Sequence, residues 1–194
     1  YGEDMATLAG DALIVEAFSV IASEMAKIHN PSLILRYAKA LDVLAKKTGM
    51  QGMIGGQVVD VQKTGEKLNE EELDFIYRLK TGALLEASFM IGAIVGGAKQ
   101  EEIDVMEEIA RNIGMAFQIQ DDILDETSTE EELGKPIHSD ERNVKTTYVT
   151  LYGLNKAKDE VLRCSTEAQR LLDTIQGDTS VLKKMIVWLS MRRK

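Results

Sequence analysis

Proline is nearly absent. Two prolines in 194 residues, with aromatics at 5%, supply too few turns and strand-favouring rings for a sandwich or barrel. The single cysteine, Cys164, can close no internal disulfide and cannot build a cysteine-type zinc site. A reducing, cytoplasmic compartment is therefore the default expectation. Basic residues are outnumbered: Lys plus Arg total 23 against 32 Asp plus Glu, a formal charge of −9. Such a chain lacks the broad basic face that neutralises phosphates, so no nucleic-acid partner is expected. The most apolar run, Ala83 to Ala98, is interrupted by Glu86 and Ser88 and falls short of the roughly 20 residues of a bilayer span. No stable membrane insertion is expected from it. The chain opens Tyr1-Gly2-Glu3-Asp4, without Met and without a basic n-region, which reads as a fragment or a processed chain.

What is present favours helix. The chain is 44% hydrophobic and 28% charged, enough to bury a core. Ala, Leu, Met, Glu, Lys and Gln dominate, and no long stretch alternates with period two. The expectation is a single all-α domain over 1–194. The pattern predicts helices from about Asp11 to Ile28, Pro31 to Thr48, Met50 to Gln62, Asn69 to Val95 and Gln100 to Glu126. Further helices are predicted from Lys145 to Tyr152, Asn155 to Ile175 and Ser180 to Arg193. Asn69 is the expected N-cap of its helix, with Glu70, Glu71 and Glu72 in the first turn. Gly52, Gly55 and Gly56 in the third helix suggest close approach of its backbone to a neighbour or ligand. A polar loop, Thr127 to Asn143, holds Gly134-Lys135-Pro136.

Two places break the helical pattern. Lys80 falls among Leu73, Ile76, Ala83, Ala87, Met90 and Ile94, an inward stripe where a lysine is costly unless it meets an anion. Its bland reading is a side chain that reaches out of the core or pairs with a carboxylate. The second place is the stripe Gly114, Gln118, Asp121 and Asp125, which spans about 60° on a regular helix. Asp121 and Asp125 thus sit one turn apart beside the buried face, and Asp122 points about 100° away. Paired carboxylates repel unless a cation lies near, and they occupy the C-terminal end that the helix dipole disfavours. Mg²⁺ suits such a pair, because it takes one or two carboxylates, waters and phosphate oxygens. Lys135 and Lys145 add positive charge on and just past the loop. Together these residues read as a site for a Mg²⁺–polyphosphate. No Walker loop is present, which argues against a P-loop nucleotide. His29 and His138 are too isolated for a metal cluster, Cys164 and the methionines read as packing, and Trp188 reads as core or interface.

Five segments in order, Gly2 to Leu13, Gly55 to Asp60, Lys80 to Leu84, Phe117 to Asp125 (Phe-Gln-Ile-Gln-Asp-Asp-Ile-Leu-Asp) and Leu133 to Pro136, resemble the trans-isoprenyl diphosphate synthases. Within them the chain is similar to the short-chain bacterial farnesyl or geranylgeranyl type. The resemblance implies an all-α isoprenoid synthase bundle around a deep cavity, a cytoplasmic homodimer, and Mg²⁺-dependent condensation of isopentenyl diphosphate with an allylic diphosphate. It implies Asp121, Asp122 and Asp125 as metal ligands, with Asp121 the favoured direct one. It assigns Lys80, Lys135 and Lys145 to the allylic diphosphate, and Thr81 and Gln118 to the face of the allylic cation. One departure stands out: the family's first aspartate-rich motif is absent, because the sequence holds a single Asp-Asp-x-x-Asp, at Asp121. The chain therefore resembles the C-terminal two-thirds of such an enzyme. Farnesyl diphosphate is the preferred product and geranylgeranyl diphosphate the alternative. A non-catalytic subunit of a heteromeric synthase and a purely structural helical module are the competing classes. A chain of this kind is expected to be inactive alone and to leave apolar faces around Leu73–Ile94 and Ile103–Leu124 open to water.

Overall fold

The computed structural model describes residues 2–128, 145–190 and 192, and these hold helices and no strand. In chain order they are α1 (Glu3–Lys27), α2 (Pro31–Thr48), α3 (Met53–Gln62), α4 (Glu70–Ile76), a π-helical turn (Tyr77–Gly82), α5 (Ala83–Gly96), α6 (Gln100–Thr127), α7 (Tyr148–Tyr152), α8 (Leu154–Leu172) and α9 (Ser180–Ser190). The all-α expectation holds. Gly134, Lys135, Pro136 and His138 lie outside the described residues.

Local chemistry explains most helix ends. Pro31 stands at the first position of α2, and the Asn30 side chain accepts from the Ser32 amide, so one otherwise unpaired N–H is satisfied. Asn69 and Glu72 form a reciprocal capping box at the start of α4, as expected from Asn69. α5 stops where Gly97 takes φ +87°, a left-handed geometry that a side chain disfavours. Helix α1 starts at Glu3 rather than Asp11. The pair Gly10-Asp11 reads as a helix start, but the helix runs straight through it.

Helix α6 is the central element and buries three sides. Ile103 meets Ala40 of α2 and Ile94 of α5. Ile109 and Ile113 pack on Ala168, Leu171 and Leu172 of α8 and Ile186 of α9. Ala116, Ile119 and Ile123 pack against Leu73, Ile76 and Tyr77 on one side and Ala157, Val161 and Cys164 on the other. A full side chain of Leu or Ile size buried this way contributes roughly 1.5–3 kcal/mol. The expectation that the Leu73–Ile94 and Ile103–Leu124 faces stand open is therefore wrong: Leu73, Ile76, Ile94, Ile103 and Leu124 are all buried. The open apolar surface lies elsewhere. No residue of α1 is buried, and Leu13, Val15 and, on α3, Val61 are exposed. Trp188 is also exposed rather than core.

By length and composition two helical stretches could cross a bilayer, Glu3–Lys27 and Glu70–Gly96. The second has Leu73, Ile76, Ala83, Ala87 and Ile94 buried in the bundle. It carries buried Glu86, which accepts from Lys47 of α2 and lies 3.4 Å from Arg111 Nε of α6. Lys47 also reaches Glu107 at 2.6 Å. This charged cluster ties α2, α5 and α6 together.

Candidate active site

The π-helical turn carries Tyr77, Lys80, Thr81 and Gly82. On a regular α-helix Lys80 would project with Ile76 and Ala83 into the core. The wider turn shifts the register, a device common at functional sites. Lys80 then stays about one-third exposed while Ile76 and Ala83 are buried.

Glycines let neighbouring backbones approach this turn. A Cβ on Gly56 of α3 would lie 2.4 Å from the Lys80 amide nitrogen, and one on Gly114 of α6 would lie 2.9 Å from Gly82 Cα. The close approach expected of α3 is thus made by Gly56, against main chain of the π turn. Gly114 seats α6 on the other side, which brings Gln118 beside Thr81. The Thr81 hydroxyl donates to Gln118 Oε1 at 2.8 Å.

A polar pocket of about 300 Å³ opens between these elements. Its walls include Asp60, Tyr77, Lys80, Gln118, Asp121, Asp122 and Lys145. Lys80 Nζ stands 2.6 Å from Asp60 Oδ2, and Lys145 Nζ is 3.9 Å from the same oxygen. Lys80 therefore both pairs with a carboxylate and lines a pocket. Lys145 is fixed through its neighbours: Thr146 Oγ1 accepts from the Leu68 amide at 3.0 Å. The Tyr148 amide, which opens α7, donates to Asp122 Oδ2 at 2.9 Å.

Asp122 corrects the helical-wheel reading. It does not point away from the site; it lines the pocket, is 5% exposed, and accepts from both the Tyr77 hydroxyl and the Tyr148 amide. Asp125, paired with Asp121 on the wheel, is buried and does not contribute to the pocket wall. Asp121 is on the wall and over one-third exposed, with Arg192 Nη2 at 3.2 Å from its Oδ1. Among the described residues no group of three His, Cys, Asp or Glu side chains could hold a metal ion. The donors that face the pocket are hard carboxylate oxygens beside lysines. That set fits Mg²⁺, which completes its shell with water and phosphate oxygens. Of the two pocket carboxylates Asp121 is the more exposed and could hold such an ion, while Asp122 is already engaged by two protein donors.

An apolar groove of about 530 Å³ runs along α3, lined by Met53, Ile54, Val58 and Val61, and it shares Lys80 with the polar pocket and adds Thr81. Charged pocket and apolar groove thus meet at one turn of backbone. Asp60, Tyr77 and Arg192 were not singled out by sequence. Asp60 sits inside a quoted motif segment, and its partner Lys80 lies 20 residues on. Arg192 arrives from 71 residues beyond Asp121, and no local pattern announces that contact.

The helical bundle thus places a lysine- and aspartate-lined pocket next to an apolar groove, the two sharing Lys80. The polyprenyl synthetase family model matches residues 1–186. The chain belongs to the polyprenyl synthetase family. It is 41% identical over 182 residues to the farnesyl diphosphate synthase of Geobacillus stearothermophilus, covering 94% of this chain and 60% of that protein. It is 44% identical over 174 residues to the chloroplastic geranylgeranyl pyrophosphate synthase of Capsicum annuum, covering 89% and 46%. The fold superposes with a TM-score of 0.80 and 32% identity on a geranyltransferase of Helicobacter pylori solved with magnesium and isoprenyl diphosphate, covering 97% of this chain and 60% of that one. The chain thus spans roughly half to three-fifths of the length of these relatives.

Proposed function

We propose that the chain is the diphosphate- and metal-binding portion of a trans-prenyltransferase that joins isopentenyl diphosphate to an allylic diphosphate. Farnesyl diphosphate is the product we favour, from the likeness to the bacterial enzymes; relatives named for farnesyl and for geranylgeranyl products both match. The observation that carries the reading is the meeting of pocket and groove at Lys80. A diphosphate head and an isoprenoid tail are covalently joined, and this geometry receives both at once.

The residues divide the work. Lys80 and Lys145 supply charge to the diphosphate, with Lys135 proposed as a third cation from the loop. Asp121, with Asp122 and Asp125 as its motif partners, would hold Mg²⁺, which supplies charge stabilisation to the leaving diphosphate when bound. Thr81 and Gln118 present oxygens where positive charge develops on the allylic carbon. The groove of α3 offers apolar side chains to the isoprenoid tail. We also read the chain as one all-α domain, cytoplasmic, and as forming a homodimer through surface that includes the exposed face of α1.

Equilibrium binding of geranyl thiodiphosphate to residues 1–194, with and without Mg²⁺, tests the reading. Binding should be tighter with Mg²⁺ than without it, and in Mg²⁺ should weaken at least tenfold in Lys80→Ala and in Asp121→Ala. No detectable heat for the unaltered chain at millimolar ligand would overturn it. The same chain supplied with both diphosphates should not turn over, because it carries a single aspartate-rich wall. Turnover within about tenfold of a full-length relative would mean that less than about 1.4 kcal/mol of transition-state stabilisation was missing, and that part of the proposal would fail.

A further inference from the structure

We propose that Asp60 is a positioning residue for diphosphate capture, one carboxylate that gathers Lys80 and Lys145 from two separate elements and aims them into the pocket. The inference rests on the function proposed above and adds to it a residue with no assigned role.

Asp60 lies on α3, one turn after Gly56. Gly56 is seated against the backbone of Leu79 and Lys80, so the carboxylate's position relative to the π turn is set by main chain. Its Oδ2 is 2.6 Å from Lys80 Nζ and 3.9 Å from Lys145 Nζ. The Asp60 side chain is 18% exposed, and the lysines are 34% and 36% exposed. The anion is therefore the inner member and the ammoniums face outward. An ammonium has three N–H donors. Lys80 can donate one to Asp60 and keep two for phosphate oxygens. Without Asp60 the two lysines would repel each other across the pocket, and each long stem would regain the rotamer freedom that binding must then remove. A negatively charged residue cannot itself favour a polyanion. Any help from Asp60 therefore passes through the lysines, which distinguishes it from a direct ligand.

The probe is inorganic pyrophosphate, titrated into residues 1–194 by calorimetry in Mg²⁺ and again in EDTA. Asp60→Asn should weaken binding about tenfold in both media, and Asp60→Glu should restore most of the loss. In a Lys80→Ala, Lys145→Ala background, Asp60→Asn should cost nothing further. A loss seen only with Mg²⁺ would make Asp60 part of the metal side and overturn the inference. So would unchanged or tighter binding by Asp60→Asn while Lys80→Ala loses affinity, an outcome that leaves the proposed function intact. Failure of the unaltered chain to bind pyrophosphate or geranyl thiodiphosphate would instead sink the function itself. One reading needs no substitution at Asp60. The ammonium ¹⁵N signal of Lys80, identified by its loss in Lys80→Ala, should persist in the bonded state and shift when pyrophosphate saturates the unaltered chain. Its release from Asp60 at saturation would refute a positioning role even if Asp60→Asn failed to fold.

Discussion

Arg192 lies across Asp121. Its Nη2 is 3.2 Å from Asp121 Oδ1 and 3.2 Å from the Phe117 carbonyl oxygen, with the guanidinium 3.9 Å above the Phe117 ring. The arginine is 11% exposed, well below the 37% of its partner. A cation supplied by the protein thus occupies the carboxylate proposed to hold a metal. Arg192→Ala should tighten Mn²⁺ binding about fivefold, the scale of a partly exposed ion pair, as read by electron paramagnetic resonance. Weaker Mn²⁺ binding in the variant would show that Arg192 supports the ion rather than competing with it.

Gly56→Ala and Gly10→Ala should have opposite signs. A methyl group at Gly56 meets backbone atoms of the π turn at 2.4 and 2.9 Å, whereas one at Gly10 meets nothing within 4 Å. Gly56→Ala is expected to destabilise by about 1–3 kcal/mol through overpacking. Gly10→Ala, inside α1, should stabilise by about 0.5–1 kcal/mol. Urea unfolding curves decide both. Equal effects at the two positions would refute the backbone seat.

Lys47→Met should be among the more damaging changes outside the pocket. It leaves Glu86, buried at 1% exposure, with Arg111 at 3.4 Å. Removing one member of a buried charged cluster costs about 3–5 kcal/mol. Lys46→Met, next to it, breaks an exposed pair with Asp42 and should cost less than about 1 kcal/mol. Comparable midpoints for the two variants would rule out the cluster as a tie between α2, α5 and α6.

Cys164 should resist alkylation in the folded protein. Burial is the main cause that pushes its thiol up to about 12, and thiolate is the reactive form. Iodoacetamide at pH 8 should label it only after denaturant is added. Rapid labelling without denaturant would mean that the α6–α8 contact opens readily.

Glu72 gives a pH prediction. Its carboxyl is held below the ordinary glutamate value, first by the Asn69 amide of the capping box and then by Lys63. A depressed value in the folded state means that the contribution is present above the ordinary glutamate range and is lost as pH falls through the lowered folded value. An NMR titration should show Glu72 protonating below the usual glutamate range. A midpoint within or above that range would remove the cap's electrostatic share.

The helices were legible because their signals are local: capping at Asn69, proline at Pro31, and apolar spacing through α6. The alignment of Gln118 with Asp121 was legible for the same reason. A helical wheel misplaces Asp122 because it treats a helix as isolated, while the donors that hold Asp122 come from Tyr77 and Tyr148, 45 and 26 residues away. The position of Lys80 looked anomalous only on the assumption of a regular α-helix, and the π turn removes that assumption. Asp60 and Arg192 were illegible because each meets its partner through the tertiary fold alone. Periodicity identifies a buried face but not the neighbour that covers it, so the open apolar surface lies on α1 and α3 rather than on the helices whose stripes the sequence marks.

The seat of Gly56 and Gly114 on the π turn makes the charged wall of the pocket largely a matter of main chain meeting main chain. Such a joint has no side chain through which drift could adjust it by small steps. The groove beside it is built differently, from the side chains of Met53, Ile54, Val58 and Val61, any of which can change size without moving the lysines. The two halves of the site are therefore free to change separately. The charged half is held by the backbone, and the apolar half can be refitted one substitution at a time.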